Sequence, residues 1–262
     1  MLAVHNFQYG PATPVAACLL SCLGAFLGLR CTARARVLDG AARARWLALG
    51  AVGIGALGVW VMHFIAMLGF AIPGETIRYS VPDTLLSVVI AVVVVAIGLF
   101  IVGFGHETWR RLLLAGTITG LGVASVHYIA MGAMRMPALM SYNVPLFAVS
   151  ALIAIAVATT AFWAAMRLIR IWPTIGAAIL LGTSVTVMHY TGMAAMHVSR
   201  PPMSMIMNTS GATIGGFLIP LICCITLVTF LLISIIGISP SAQEIRDEAE
   251  LLERSRARGL QI

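Results

Sequence analysis

The chain has 262 residues, of which 60% are hydrophobic and 10% charged, with a formal net charge of +7 and a mean hydropathy of +1.01. That balance excludes a soluble globular domain, whose core would need far less apolar material. All sixteen basic residues are Arg, so retinal chemistry is excluded too: its Schiff base needs a Lys amine.

Seven nearly uncharged runs follow one another, at about 13–29, 46–70, 84–104, 112–134, 145–166, 174–196 and 213–238. Runs of this length read as transmembrane helices. The expected fold is an all-α membrane protein, with residues 1–238 as one seven-helix domain and 239–262 as a tail. The first run has neither a basic segment before it nor a small-residue cleavage pattern after it, and reads as a retained span.

Arginines orient the spans. Loop one (Arg30, Arg34, Arg36, Arg43, Arg45), loop three (Arg110, Arg111), loop five (Arg167, Arg170) and the tail (Arg246, Arg254, Arg256, Arg258) lie on one side, against Arg78, Arg135 and Arg200 on the other. The positive-inside bias places the N-terminus outside and the C-terminus in the cytoplasm, across a bacterial-type inner membrane. The positive charge is thereby accounted for by topology, and no nucleic-acid partner is expected.

One motif recurs in the even-numbered spans. Met62-His63-Phe64-Ile65-Ala66-Met67 returns as Val126-His127-Tyr128-Ile129-Ala130-Met131 and as Met188-His189-Tyr190-Thr191-Gly192-Met193. Counted at ~1.5 Å per residue from the inner boundary, all three His lie roughly 22–26 Å across the ~30 Å hydrocarbon layer. Each +4 Met lies one turn further out on the same helix face. The repeating unit is thus a helix pair, three parallel units about a pseudo-threefold axis, with span seven left over. Small residues recur at equivalent positions: Ala56, Gly120 and Gly182 seven before each His, Gly58, Gly122 and Ser184 five before, Ala66, Ala130 and Gly192 three after. They are expected to let spans two, four and six approach one another closely.

An ionisable side chain in an apolar span is a functional-site candidate. Imidazole suits copper, zinc, iron and nickel, whereas a thioether selects copper(I). His63, Met67, His127, Met131, His189 and Met193 are therefore the candidate copper ligands. No Asp or Glu lies in these three spans, which argues against magnesium, calcium and carboxylate-bridged di-iron. Met134, Met136, Met196, His197, Met203, Met205 and Met207 cluster near the outer mouth and offer an access route or a secondary metal site.

Blander accounts stand beside these. Buried His can form a structural polar layer, Met is a flexible packing residue, and Phe64, Tyr128 and Tyr190 fit interfacial anchoring. All five Cys read as small apolar packing.

Met188-His189-Tyr190-Thr191 spells the MHYT signature, and the layout over about residues 10–238 resembles the MHYT integral membrane sensor family. The resemblance implies seven helices, copper held by these His and Met residues, and sensing of a diatomic gas such as oxygen, carbon monoxide or nitric oxide. Copy one departs at Phe64 and copy two at Val126, which weakens the case for the flanking motif positions as ligands. Proteins of this type are often joined to cytoplasmic cyclic-di-GMP enzymes or kinases. Only 24 residues follow Ile238 here, too few to bury an enzyme core, so no catalytic residue is expected and any output lies in a signalling partner or fused domain. Ser241 with Glu244 forms a capping-box pattern, and Glu250 with Arg254 an i,i+4 pair, as at the start of a signalling helix.

Three functional classes remain open beside the polar layer. A sensor of gas, redox or copper status would report through helix seven and the tail. Copper storage, delivery or transport would need ligands along an inner path, where spans two, four and six offer Ser125, Ser184, Thr117, Thr119, Thr183 and Thr186. A haem or redox enzyme could use His as axial ligands, but small neighbouring residues leave little room for a porphyrin.

Overall fold

Start signals in the sequence set the first turns of three helices. In the computed structural model, which describes residues 4–105, 108–200, 209–238, 248 and 250–255, six helices are long and apolar enough to cross a membrane. These are α1 (Ala12–Ala35), α2 (Gly40–Met67), α3 (Val81–Gly103), α4 (Trp109–Gly132), α5 (Val144–Arg167) and α6 (Ile171–Ala195). Pro lies in the first turn of α3 and α5, where its missing N–H costs nothing. The Asn143 side chain accepts from Leu146 N at 3.1 Å and Thr108 from Arg111 N at 3.4 Å, capping α5 and α4. A seventh helix, α7 (Ile219–Ile238), follows a π-helical turn at Ile214–Leu218. The tail falls mostly outside the described residues, but residues 250–255 are helical and the expected Glu250–Arg254 pair forms at 3.6 Å.

Loop one is shorter than expected. Arg30 and Arg34 belong to α1 and Arg43 and Arg45 to α2, leaving Arg36 in the connection. Arg is a good helix former, and its long stem carries the charge beyond the apolar layer. These side chains also tie the helix ends together. Arg43 donates from Nε to Leu38 O at 2.7 Å and from Nη1 to Gly103 O at 3.3 Å, and Arg30 reaches Ile169 O at 3.4 Å.

The helices form a closed ring in chain order, with α6 returning to pack on α1. α7 lies outside it against α2. Here the structure corrects the expected role of the small residues. A methyl group on Gly120 would meet the backbone of Ile155 in α5, one on Gly182 the backbone of Cys22 in α1, and one on Gly122 the side chain of Val94 in α3. Gly58 itself lies against Gly24 of α1. The small positions before each His therefore join α2, α4 and α6 to their odd-numbered neighbours, while Gly192, after its His, joins α6 to α4. The cost of filling one is predictable. Gly24→Leu would drive its side chain into the backbone of Gly58 and should destabilise the fold by roughly 1–3 kcal/mol or more, read as a lowered unfolding midpoint in detergent.

Two other features depart from a plain α-bundle. Gly53–Val61 of α2 is π-helical; Gly58 O accepts from Ser21 Oγ of α1 at 2.7 Å, and Trp60 Nε1 donates to Ser87 Oγ of α3 at 2.8 Å. Two antiparallel ribbons also cap the end opposite the arginines: β1 (Arg78–Tyr79) with β2 (Met134–Arg135), and β3 (Leu139–Tyr142) with β4 (Met196–Ser199). An Arg135–Asp83 ion pair at 2.8 Å fastens β2 to the first turn of α3. Tyr79 is buried beneath this cap against Phe64, and burial pushes its phenol up from its ordinary value, which keeps it neutral.

Candidate metal centre

At their C-terminal ends α2, α4 and α6 each deliver one His to the ring axis. His63, His127 and His189 are 3%, 4% and 1% exposed. Their ring centroids are 5.1 Å (63–127), 4.9 Å (63–189) and 5.0 Å (127–189) apart, with interplanar angles of 87°, 84° and 87°. Such near-equality is what a threefold repeat of one helix-end geometry produces. The Nδ1 atoms converge: that of His63 lies 3.1 Å from His189 Nδ1 and 3.2 Å from His127 Nδ1. Among the described residues, this trio alone groups ligand atoms of His, Cys, Asp or Glu within metal-binding reach, all within 4.8 Å of one another.

The convergence has a chemical consequence. A neutral imidazole nitrogen carries either a hydrogen or a lone pair. With two states and three nitrogens, at least one pair is alike, so three neutral rings cannot pair off one to one: one hydrogen must be shared or one nitrogen left over. A cation that takes three lone pairs removes the conflict. The size also fits. A threefold triangle with sides like those observed places its corners about 1.8 Å from its centre, close to the ~2.0–2.1 Å of a metal–imidazole bond. His63, His127 and His189 would together hold such an ion.

Packing aims the rings. Each meets the following aromatic edge-on: His63–Phe64 at 4.9 Å, His127–Tyr128 at 4.8 Å, His189–Tyr190 at 5.0 Å. Interfacial anchoring does not account for Phe64, which is fully buried, nor for Tyr128, whose hydroxyl pairs with Ser150 Oγ at 2.7 Å. The backbone of Gly192 backs the His127 ring, since a methyl there would sit 2.5 Å from Nε2. All three Nε2 atoms are buried without a hydrogen-bond partner. Orientation here rests on shape and not on the acceptor that usually fixes a ligating His.

The methionines divide into groups. Met67, Met131 and Met193 are buried and share one hydrophobic cluster with Met134, Met136 and Met196 beneath the ribbons. His197 stands apart from the triad in β4, half-buried, its Nδ1 3.2 Å from Ala195 O. Met203, Met205 and Met207 lie outside the described residues. On the Arg-rich side, a cavity of about 10 Å³ touches all three His and is lined also by Met62 and Met188. Those two residues were set aside in the sequence because copy two has Val126; their burial beside the triad was signalled only by their position next to each His.

The MHYT family pattern, described as a bacterial signalling protein N-terminal repeat, matches residues 57–115, 120–178 and 182–246. The chain belongs to the MHYT family. Each family repeat begins in the second half of an even helix and runs into the next odd one, so α7 takes the place in repeat three that α3 and α5 take in repeats one and two. The helix left over is α1. Two relatives come from Pseudomonas aeruginosa. The bifunctional diguanylate cyclase/cyclic di-GMP phosphodiesterase MucR is 31% identical over 91% of this chain and 35% of its own length. The cyclic di-GMP phosphodiesterase NbdA is 33% identical over 98% of this chain and 33% of its own length. The signalling protein YkoW of Bacillus subtilis is 27% identical over 81% of the chain and 27% of its own length. This MHYT chain spans about a third of the curated relatives MucR and NbdA. No solved structure matches it.

Proposed function

We propose that this MHYT domain is a seven-helix sensor of the bacterial inner membrane, with its N-terminus outside and its C-terminus cytoplasmic. It holds copper at His63, His127 and His189 and signals to a cyclic-di-GMP enzyme, fused or separate. The observation that carries the reading is the convergence of three buried Nδ1 atoms that cannot pair off one to one. Copper(I) bound there would supply a soft, electron-rich centre for a diatomic gas: oxygen, carbon monoxide or nitric oxide. Met67, Met131 and Met193 on one side, and Met62 and Met188 on the other, provide the sulfur that favours copper over zinc. The cavity beside the triad, about 10 Å³, suits a ligand of water size and is far too small for a porphyrin.

Signalling needs an element with two arrangements that the ligand distinguishes. The π-helical stretch of α2 leads directly into His63 and packs against α7. A π-bulge is a place where a helix can change register, so movement of His63 would be felt by α7 and, through it, by the tail. Transport is less well supported. Ser125, Ser184 and Thr186 give their hydroxyls to Leu121, Leu180 and Gly182 of their own helices, and Thr119 gives its to Val94 O at 3.0 Å. Inward of the triad, α2, α4 and α6 carry no His or Met beyond Met62 and Met188, so the soft stepping-stones a copper path needs are missing.

Elemental analysis after copper loading tests the reading, with a His63→Ala/His127→Ala/His189→Ala variant alongside. About one copper per chain, lost in the folded variant, is the expected result for a three-imidazole site. No copper in either protein would overturn it. A metal-free parent whose variant no longer folds would favour the structural polar layer.

A further inference from the structure

Between the triad and the Arg-rich end, α2, α4 and α6 do not close on the axis. Gly58, Gly120, Gly122 and Gly182 are spent on the odd-numbered neighbours, and the space between the three helices is a cavity of about 60 Å³ reached by all six, against roughly 10–15 Å³ for one water-sized occupant. Its walls are apolar apart from Ser21 and Thr119. Both hydroxyls are already committed, to Gly58 O at 2.7 Å and to Val94 O at 3.0 Å. An apolar cavity with no free polar partner stays dry and takes up small apolar guests such as xenon.

Val59, Val123 and Met188 line both this cavity and the small one that touches the three His. These side chains are the wall that the two spaces share. Two of the three are small valines and the third is a thioether with three rotatable bonds, the side chain best able to give way in a packed wall. The opposite approach is closed: beyond the triad lie the buried Met67, Met131 and Met193 and, over them, the ribbons. On the flank, Val157 and Ala161 of α5 line the cavity while remaining half-buried, and α5 is among the most outward-facing of the six helices, with 17% of its apolar window buried.

We propose that this cavity is the holding site and route by which a diatomic gas reaches the triad, drawn sideways from the bilayer and not from the aqueous face. Apolar gases concentrate in hydrocarbon for the reason that water rejects apolar solutes. A dry antechamber would therefore load from lipid and admit neither water nor ions. The proposal rests on the sensor reading for its destination, but the cavity can be tested without any metal.

The probe is xenon, applied to the full chain in nanodiscs and read by 129Xe exchange NMR. A saturable bound signal is expected in the parent and should be lost in Ala158→Leu, whose side chain would fill the space beside buried Ala158. Ala161→Leu, at the half-buried flank, provides a second blocked protein should the first fold poorly. Both variants should keep the parent's copper content, and carbon monoxide should recombine at least tenfold more slowly in them after photolysis. No bound xenon in the parent, or xenon binding and recombination unchanged in both variants, would overturn the proposal. Xenon in the cavity of a protein that never takes up copper would overturn the sensor reading instead and leave the gas site standing.

Discussion

Replacing His63, His127 or His189 singly by Ala is expected to abolish tight copper binding, and by a similar factor at each position. The three rings are equivalent to within 0.2 Å in centroid spacing and 3° in mutual tilt, so none is a spare. Copper(I) often accepts two ligands in a line, which is the usual escape when a third is lost. That escape is blocked here, because each surviving pair of Nδ1 atoms faces the axis from two corners of a triangle, and the rings are wedged by Phe64, Tyr128 and Tyr190. Perturbing even an outer partner of a ligand costs about 10–100-fold in affinity; removal of a ligand should cost about 100-fold or more on that scale. Competition with a copper(I) chelator measures it. A variant that binds as tightly as the parent would show that its His is not a ligand, and would return the triad to a two-coordinate or purely structural account.

The triad was legible because the repeat carries it. Three His with one spacing in three parallel spans fix depth and direction, and the axis follows from the pairing of helices. What the repeat could not show is which neighbour a small residue faces. Gly58, five residues before its His, is turned roughly 140° around the helix, but Gly120 and Gly182, seven before theirs, are turned only about 20°, so the helix wheel did not show that they meet α5 and α1. The π-helical stretch at Gly53–Val61 left no periodicity signal, since its residues are apolar on every side. The ribbons were hidden for another reason: β1 and β2 are two residues each and pair across 55 positions of chain. The aromatic after each His was read by depth, which suggested the interface, whereas its role is set by the ring it packs against.

Gly192 makes the geometry testable without touching a ligand. It occupies the position held by Ala66 and Ala130 in the other copies, and a methyl group there would lie 2.5 Å from Nε2, 2.9 Å from Cδ2 and 3.2 Å from Cε1 of His127. These are Nε2 and the two carbons bonded to it, so the α6 backbone abuts the Nε2 end of the imidazole. Gly192→Ala asks the ring to retreat by about an ångström to restore an ordinary ~3.5 Å contact, although two of the three copies carry Ala at this position. A shift of that size should cost about 10-fold in copper affinity, the lower end of effects seen when an outer partner is removed. Gly192→Leu leaves no such adjustment, because its branched side chain must occupy the volume of the ring itself. His127 should then swing off the axis, with affinity falling by about 100-fold, the upper end of the same range, although every candidate ligand is still present. Chelator competition, run beside His127→Ala, reads both variants. A Leu variant that matches the parent would mean that the His127 ring is not held by α6, and the observed convergence of the three Nδ1 atoms would no longer explain metal binding.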